Sequence, residues 1–249
     1  MKKYLLEICV DSFESARRAS ENGADRLELC GDLLVGGVSP SPFLIEQVAE
    51  RIKTPVIVLL RPRFGDFCFT DEEKVVLLKE IAFCAHAGVN GVVIGALTPE
   101  GDLDVPFLSQ CMAAAGDLEV TLHRCFDVCR DPFEALDTAC DLGMQTILTS
   151  GQMATAPEGI GNLKALRKFA TDRIHLMAGS GVSAKNIAML HREAGICHFH
   201  LSAKASEPGP MKFRREGVPM GLPMASEFDR QYASPTAVKA AREAIDSLK

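Results

Sequence analysis

Short apolar runs alternate with amphipathic stretches along nearly the whole chain. Runs of apolar and β-branched residues predict strands at 4–10, 25–30, 55–61, 90–95, 118–124, 145–150, 173–179 and 197–202. Several stretches between them repeat apolar residues at helical spacing, as in DEEKVVLLKEIAFCAHAG and DPFEALDTACDLG. They begin at Ser, Thr or Asp and end at Gly, which are common start and stop signals of helices. The pattern therefore predicts repeated βα units.

Eight such units in 249 residues predict an α/β fold, a single (β/α)₈ TIM barrel over residues 1–249. A doubly wound open sheet is the alternative, but no G-x-G-x-x-G motif follows the first strand. Residues 205–234 are rich in Pro, Gly and Met, so we expect an irregular extension arm there. The sequence SPTAVKAAREAIDSL then predicts a final helix over 235–248.

Composition excludes several classes of function. The chain has 27 Lys and Arg against 33 Asp and Glu, a net charge of −6 with no basic cluster, which argues against a nucleic-acid partner. No apolar run approaches the ~20 residues that span a bilayer, so no membrane partner is expected. Glu7 and Asp11 interrupt any signal-peptide core, and we expect a cytoplasmic protein. Nine cysteines without a C-x-x-C motif indicate neither a disulfide framework nor a zinc ribbon.

Carboxylates and thiols alternate at the ends of the first two strands. The near-copies LEIC and LELC place Glu7 with Cys9, and Glu28 with Cys30, on one face of each strand. If the register of the strands matches, these four side chains face one space. A buried carboxylate pair needs a counter-ion, a shared proton or a metal. We expect Arg61, at the end of the third strand, to be the counter-ion.

Two interpretations of this group remain open. It is either an ion-pair layer that closes the barrel mouth, or an active site in which Glu7, Glu28, Arg61 and His123 are the candidate catalytic residues. In the second interpretation His123 is the candidate general acid or base, because the ordinary pKa of histidine is near neutrality. Of His198 and His200, which we take to alternate along one strand, at most one is expected to face inward.

Further polar and glycine residues follow the later strands and predict an anion site. Loops 148–152 and 177–183 resemble phosphate-binding turns, the second leading into a helix expected near Ser183, although their glycines are equally typical of tight turns. The run RPRFGDF at 61–67 indicates either an anion clamp or a rigid loop with its own ion pair. The candidate ligand- and anion-binding residues are Arg63, Asp66, Arg124, Ser150, Gly179, Gly181, His200 and Ser202.

These phrases together resemble a known family. LEICVDS, GADRLELC, RPRFGDF, TLHRCFD, ILTSG, MAGSGV and MKFR are similar, in order and spacing, to motifs of the CutC copper homeostasis proteins, over about residues 4–215. The resemblance implies a cytoplasmic (β/α)₈ barrel that is usually an oligomer. For some members it implies Cu(I) binding by two cysteines, which correspond by motif to Cys9 and Cys30. Phe64 and Cys125 depart from the family pattern, which has Gly and Ala there.

The hypotheses for function belong to different classes. The first is a copper homeostasis protein that binds Cu(I) through Cys9 and Cys30, the candidate metal ligands. The second is a TIM-barrel enzyme that acts on a small anionic or phosphorylated metabolite at the mouth of the barrel. A homo-oligomer, dimer or tetramer, is compatible with both, and the apolar residues of the 205–234 arm suit subunit contacts.

Overall fold

Eight parallel strands form a closed barrel in the order of the chain, and the last strand pairs with the first. The computed structural model describes residues 3–218, 220–222 and 225–248. The barrel strands are β1 (Leu5–Val10), β2 (Arg26–Leu29), β3 (Val56–Leu59), β4 (Gly91–Ile94), β5 (Glu119–Leu122), β6 (Thr146–Thr149), β7 (His175–Ala178) and β8 (His198–Leu201). The predicted (β/α)₈ barrel is confirmed, with strand ends within two residues of the predicted ones.

Helices follow the strands and cover the outside of the barrel. They are α1 (Phe13–Glu21), α2 (Pro42–Arg51), α3 (Asp71–Ala87), α4 (Val105–Ala115), α5 (Pro132–Asp141), α6 (Ile160–Ala170), α7 (Ile187–Ala194) and α8 (Pro235–Asp246). Their starts are chemically specified: Thr70 forms a capping box with Glu73 at α3, and Ser234 accepts a hydrogen bond from the N–H of Ala237 at α8. None of the helices in the described ranges is long and apolar enough to cross a lipid bilayer.

Alternate strand residues face different environments. Leu6, Ile8 and Val10 of β1 belong to the large apolar core shared with the helices. The intervening residue Cys9 belongs to a small inner cluster with Cys30, just after β2, and with residues of β3 and β4, among them Ile57. Both faces of a barrel strand are covered, so both are buried. Glu7, which alternates with Cys9 on the inner face, is consequently enclosed by the barrel.

The register of neighbouring strands decides which inner residues meet. Glu7 lies opposite Arg26 on β2 and opposite His200 on β8, whereas Cys9 lies opposite Glu28. The copies LEIC and LELC are therefore offset by two residues rather than aligned. Glu7, Arg26 and His200 occupy one level, and Cys9 with Glu28 the next level toward the mouth.

The segment predicted as an irregular arm is partly regular. Its ends form strands β9 (Lys204–Pro208) and β10 (Asp229–Ala233), which pair antiparallel. The N–H of Ala233 donates to Ser15 of α1 at 3.2 Å, which attaches this ribbon to the barrel. The two strands of this ribbon have polar sequences and are held together by backbone pairing. The hydrophobic pattern of the sequence therefore did not predict them. Pro219, Pro223 and Met224 of the arm lie outside the described residues.

Candidate metal and anion site

A chain of ionic contacts runs through the inside of the barrel. Arg26 donates from Nε to Glu7 Oε2 at 2.6 Å and from a terminal nitrogen to Glu119 Oε2 at 2.9 Å. The other oxygen of Glu7, Oε1, accepts a hydrogen bond of 2.7 Å from Nδ1 of His200. Glu7 is 1% exposed, so both of its oxygens are satisfied by cationic donors inside the protein.

The expectation that Arg61 neutralises the two carboxylates is wrong. The Arg61 guanidinium donates instead to the carbonyls of Gly37 at 3.2 Å and Gly65 at 2.5 Å, and no carboxylate pairs with it among the described residues. The counter-ions are Arg26 and His200. Arg26 precedes Glu28 by two residues on the inner face of β2, so the period of the strand was the signal that indicated it.

The same ion pairs control the pKa of Glu7. Burial alone would raise it, but Arg26 and then His200 lower the pKa from 4.5 to about 2. A carboxyl whose pKa is lower in the folded protein stabilises the fold above its unfolded pKa, and this stabilisation is lost as the pH falls through the folded pKa. The free energy of unfolding should therefore decrease as the pH falls from 4.5 to 2.

We expect Glu7 to contribute roughly 3 kcal/mol to this decrease, because its pKa lies at about 2 instead of 4.5. Urea unfolding at a series of pH values would measure it, with Glu7→Gln beside the wild type. The variant should be less stable at pH 7 and show a flatter decline below pH 4.5. Glu46→Gln on the exposed face of α2 is the control, and an equal flattening in that variant would contradict the assignment to Glu7.

Three residues at the mouth form a group that can hold a metal ion. One ligand atom each from Cys9, Glu28 and His200 lies within 4.8 Å of the others, and all three residues are buried. They come from the adjacent strands β1, β2 and β8. The Sγ of Cys30, just beyond β2, lies 3.4 Å from Oε2 of Glu28. The two predicted thiols therefore flank one carboxylate.

The orientation of His200 suits metal binding. Its Nδ1 is engaged by Glu7, and its Nε2 lies 3.7 Å from Oε2 of Glu28, on the side of the group. Ligating histidines commonly donate their second ring N–H to a carboxylate, which fixes the ring. Glu7 and Arg26 thus act as supports of the group rather than as members of it.

Protonation of the group reflects its burial. Burial raises the pKa of Glu28, and burial with the neighbouring Glu28 and Cys9 raises the pKa of Cys30 well above its ordinary value. Burial would lower the pKa of His200, but Cys9 and Glu28 raise it well above its ordinary value. A bound cation favours the deprotonated form of each group, so metal binding would release protons.

A cavity of about 360 Å³ opens above this group at the mouth. Of the residues proposed from the sequence, the cavity is lined by Cys9, Glu28, Arg61, His123, Arg124, Gly181, His200 and Ser202. Its lining does not include Glu7, Cys30, Arg63, Asp66, Ser150 or Gly179. The barrel thus brings together residues from both ends of the sequence at one cavity. The predicted residues that do not line the cavity lie outside its wall.

His123 is a buried, neutral imidazole. Burial and the nearby Arg61 lower its pKa to about 3. Its Nδ1 accepts a hydrogen bond of 3.2 Å from the N–H of Cys125, so the ring proton is on Nε2. At neutral pH His123 is a hydrogen-bond donor and only a weak base. Cys125 packs in the apolar core and lies outside the metal-holding group.

Several loop residues have structural partners. Arg63 pairs with Glu73 at 2.6 Å and with Asp66 at 3.0 Å, so the ion pair expected within RPRFGDF is present. Phe64 is 68% exposed and does not line the cavity. Position 179 favours glycine, because a Cβ there would lie only 2.6 Å from Cδ1 of Leu148.

The second glycine-bearing loop differs from its prediction. Ser180 and Gly181 have positive φ values of 67° and 70°, and both line the cavity. The helix expected near Ser183 begins at Ile187, because Asn186 accepts from the N–H of Ser183 in a turn before α7. The helix start is consequently farther along the chain from Gly181 than the sequence indicated.

The expectation that at most one of His198 and His200 faces inward is wrong. Residues two apart share a strand face, and both histidines are buried. His198 stacks on His175 with ring centroids 4.6 Å apart, at the opposite end of β8 from the mouth. His200 alone joins the group at the mouth.

Asp127 organises the mouth and was missed in the sequence. Its carboxylate accepts hydrogen bonds from the hydroxyl of Thr149 at 2.5 Å, from the N–H and hydroxyl of Ser150, and from the N–H of Gln152 at 3.1 Å. It also pairs with Arg124 at 2.7 Å. The spacing of Arg124 and Asp127 in TLHRCFD was the available signal. Asp127 thereby holds Arg124 and the loop after β6 together.

The fold and site define a class: a (β/α)₈ barrel with a thiol, imidazole and carboxylate group at the carboxyl ends of its strands. The model of the CutC family matches residues 4–205 of the chain. The chain belongs to the CutC family.

Individual relatives agree over most of the chain. A Bacteroides fragilis protein named as a CutC family protein is 45% identical and aligns with 100% of this chain and 98% of its own length. A Mus musculus protein named copper homeostasis protein cutC homolog is 40% identical, with coverage of 95% and 87%. A CutC crystal structure from Streptococcus agalactiae has a TM-score of 0.76 at 30% identity and covers 80% of this chain and 98% of its own.

Proposed function

We propose that this protein serves in copper homeostasis by binding Cu(I) at the barrel mouth, through the thiolates of Cys9 and Cys30 and Nε2 of His200. The observation that carries the proposal is the group of Cys9, Glu28 and His200, with ligand atoms within 4.8 Å of one another. The names of the relatives as copper homeostasis proteins support the same function.

The donor set fits a soft ion. Thiolates are the ligands that Cu(I) prefers, and imidazole nitrogen is also suitable. Cys30 belongs to the same inner cluster as Cys9 and contacts Glu28 through its Sγ at 3.4 Å. The carboxylate of Glu28 is a hard ligand, so its role with Cu(I) is to accept a proton or hydrogen bond beside the thiols.

The position of the group favours slow exchange. Cys9 lines the mouth cavity but is only 8% exposed, and Cys30 is fully buried, so little of either thiol is open to an incoming ion. Binding requires that the thiols and His200 lose protons, and the affinity for copper should therefore fall as the pH decreases.

A Cu(I) titration against a strong competing chelator, under anaerobic reducing conditions, tests the proposal. We expect Cys9→Ser and Cys30→Ser each to lower the affinity at least roughly 100-fold, more than the loss of a supporting partner usually costs. Cys140→Ser, which removes a partly exposed thiol from α5, is the matched control and should bind as the wild type does. Thermal unfolding of each variant verifies that it is folded.

A parallel Zn²⁺ titration identifies the ion. Zn²⁺ accepts carboxylate ligands as well as sulfur and nitrogen, so Glu28→Gln should weaken Zn²⁺ binding more than Cu(I) binding. The proposal is overturned if wild-type protein does not compete with the chelator, or if both thiol variants retain its affinity. It is also overturned if Glu28→Gln costs as much Cu(I) affinity as the loss of either thiol.

A further inference from the structure

Two buried hydrogen-bond donors at the mouth have no partner within the described residues. They are Nε2 of His123 and Nε of Arg61. The two residues are 4% and 8% exposed, and both line the cavity above the metal-holding group. Leaving a buried donor unpaired is unfavourable, so such groups call for a specific explanation. A ligand in the cavity whose acceptor atoms bind these two donors would explain them.

The surroundings of His123 prepare it to donate. Its Nδ1 accepts from the N–H of Cys125, and the ring packs on Phe67 with centroids 4.8 Å apart. The ring therefore has one tautomer and one position, with the Nε2–H unengaged. A donor held in place in this way makes a hydrogen bond to a ligand without the entropic cost of ordering a mobile side chain.

Arg61 supplies a positive charge that no carboxylate pairs with among the residues the structure describes. Two of its nitrogens donate to the carbonyls of Gly37 and Gly65, and its guanidinium lies 4.7 Å from the ring centroid of Phe67. These contacts fix its direction but leave its charge uncompensated. Arg61 and His123 thus pack on the same aromatic ring, from which both reach the cavity.

The charge and size of the cavity limit what it can hold. Its lining includes the cations Arg61, Arg124 and Lys204 and the carboxylate Glu28, and Arg124 is paired with Asp127. A volume of about 360 Å³ is near the lower end of ligand pockets, which run from roughly 300 to 1,000 Å³. These properties favour a small anion over a polymer or a bulky apolar ligand.

We infer that the mouth cavity also binds a small organic anion, whose carboxylate or phosphate oxygens accept hydrogen bonds from Arg61 and from the Nε2–H of His123. This function goes beyond copper binding, because neither residue belongs to the metal-holding group. It meets the first requirement of an enzyme that acts on a small anionic metabolite.

Ligand titrations of metal-free protein test the inference. The probes are inorganic phosphate and pyruvate, each compared with sodium chloride at equal ionic strength. The readout is the ring Cε1–H signal of His123 in protein with ¹³C-labelled histidines, assigned from its absence in His123→Gln. We expect a saturable shift at pH 7 with at least one probe. A response to phosphate alone or to pyruvate alone supports the inference and identifies the oxyanion.

Variants establish which atoms hold the anion, with binding followed by calorimetry. Arg61→Gln should weaken binding roughly tenfold or more, as expected for loss of a charge-assisted hydrogen bond. Arg130→Gln removes an exposed cation that pairs with Asp102 outside the cavity, and should change affinity less than about twofold. His123→Phe should weaken binding more than His123→Gln, because the glutamine amide retains a donor.

The inference is overturned if neither probe gives a saturable shift, or if Arg61→Gln and Arg130→Gln weaken binding equally. If Arg61→Gln does not fold, as judged by thermal unfolding, the pair of His123 variants decides: equal binding by both overturns the inference. Since the titration contains no metal, its failure leaves the copper proposal unaffected, and failure of the copper titration leaves the anion site unaffected.

Discussion

Replacing Arg26 with methionine is expected to lower the free energy of unfolding by about 3–5 kcal/mol, because it breaks a buried ion pair and leaves a charge behind. Arg26 is 4% exposed and bridges Glu7 and Glu119. Methionine preserves the apolar length of the side chain, but Glu7 keeps only His200 as a partner. The ring of His200 should then lose its fixed position.

Urea unfolding at pH 7 measures the effect. Arg17→Met is the matched control, since Arg17 on α1 also bridges two glutamates, Glu14 and Glu21, in exposed pairs. It should cost less than about 1 kcal/mol. The double variant Arg26→Met/Glu7→Gln should recover part of the loss, because it removes the unpaired charge. Equal losses in the two single arginine variants would contradict the role assigned to Arg26.

The second large effect is expected at Asp127. Asp127→Asn should lower the free energy of unfolding by about 3 kcal/mol, since hydrogen bonds to a charged group contribute roughly 1.5–3 kcal/mol each. Each carboxylate oxygen accepts from donors of the loop after β6, and Ser150 contacts both. In asparagine an NH₂ group replaces one of the two carboxylate oxygens. This group cannot accept hydrogen bonds from the donors that it faces, and the pair with Arg124 loses its charge.

Asp102→Asn provides the comparison, because Asp102 pairs with Arg130 on the surface and should cost less than about 1 kcal/mol. Hydrogen exchange at the amides of Ser150 and Gln152 should accelerate in Asp127→Asn, since both N–H groups donate to Asp127. Unchanged exchange at both amides would show that another contact holds this loop.

Much of the barrel could be predicted because its signals are local. Each strand is a short apolar run, and each helix carries its own caps, such as Thr70 with Glu73 at α3. The candidate site was partly accessible in the same way. Period two put Glu7 with Cys9 and Glu28 with Cys30, and the chain order put these strands side by side.

The errors arose where geometry between elements decides. Arg61 ends a strand near the carboxylates in sequence order, yet it binds carbonyls of loops instead. Arg26 is the partner of Glu7, because the register of β1 and β2 places the two residues opposite each other. The expectation for His198 and His200 failed for a simpler reason, since residues two apart lie on the same face of a strand.

The alternation of strands and helices, the (β/α)₈ class and the set of polar residues at the strand ends follow from the amino-acid sequence alone. These depend on local periodicity and capping, which each segment carries within itself. The arrangement of the strands in space places Cys9 beside Glu28 and His200 and places Arg26 beside Glu7. It also leaves Nε2 of His123 at a cavity with no partner among the described residues. Closing the barrel joins β1 to β8, and the register of that closure sets contacts between residues nearly two hundred positions apart.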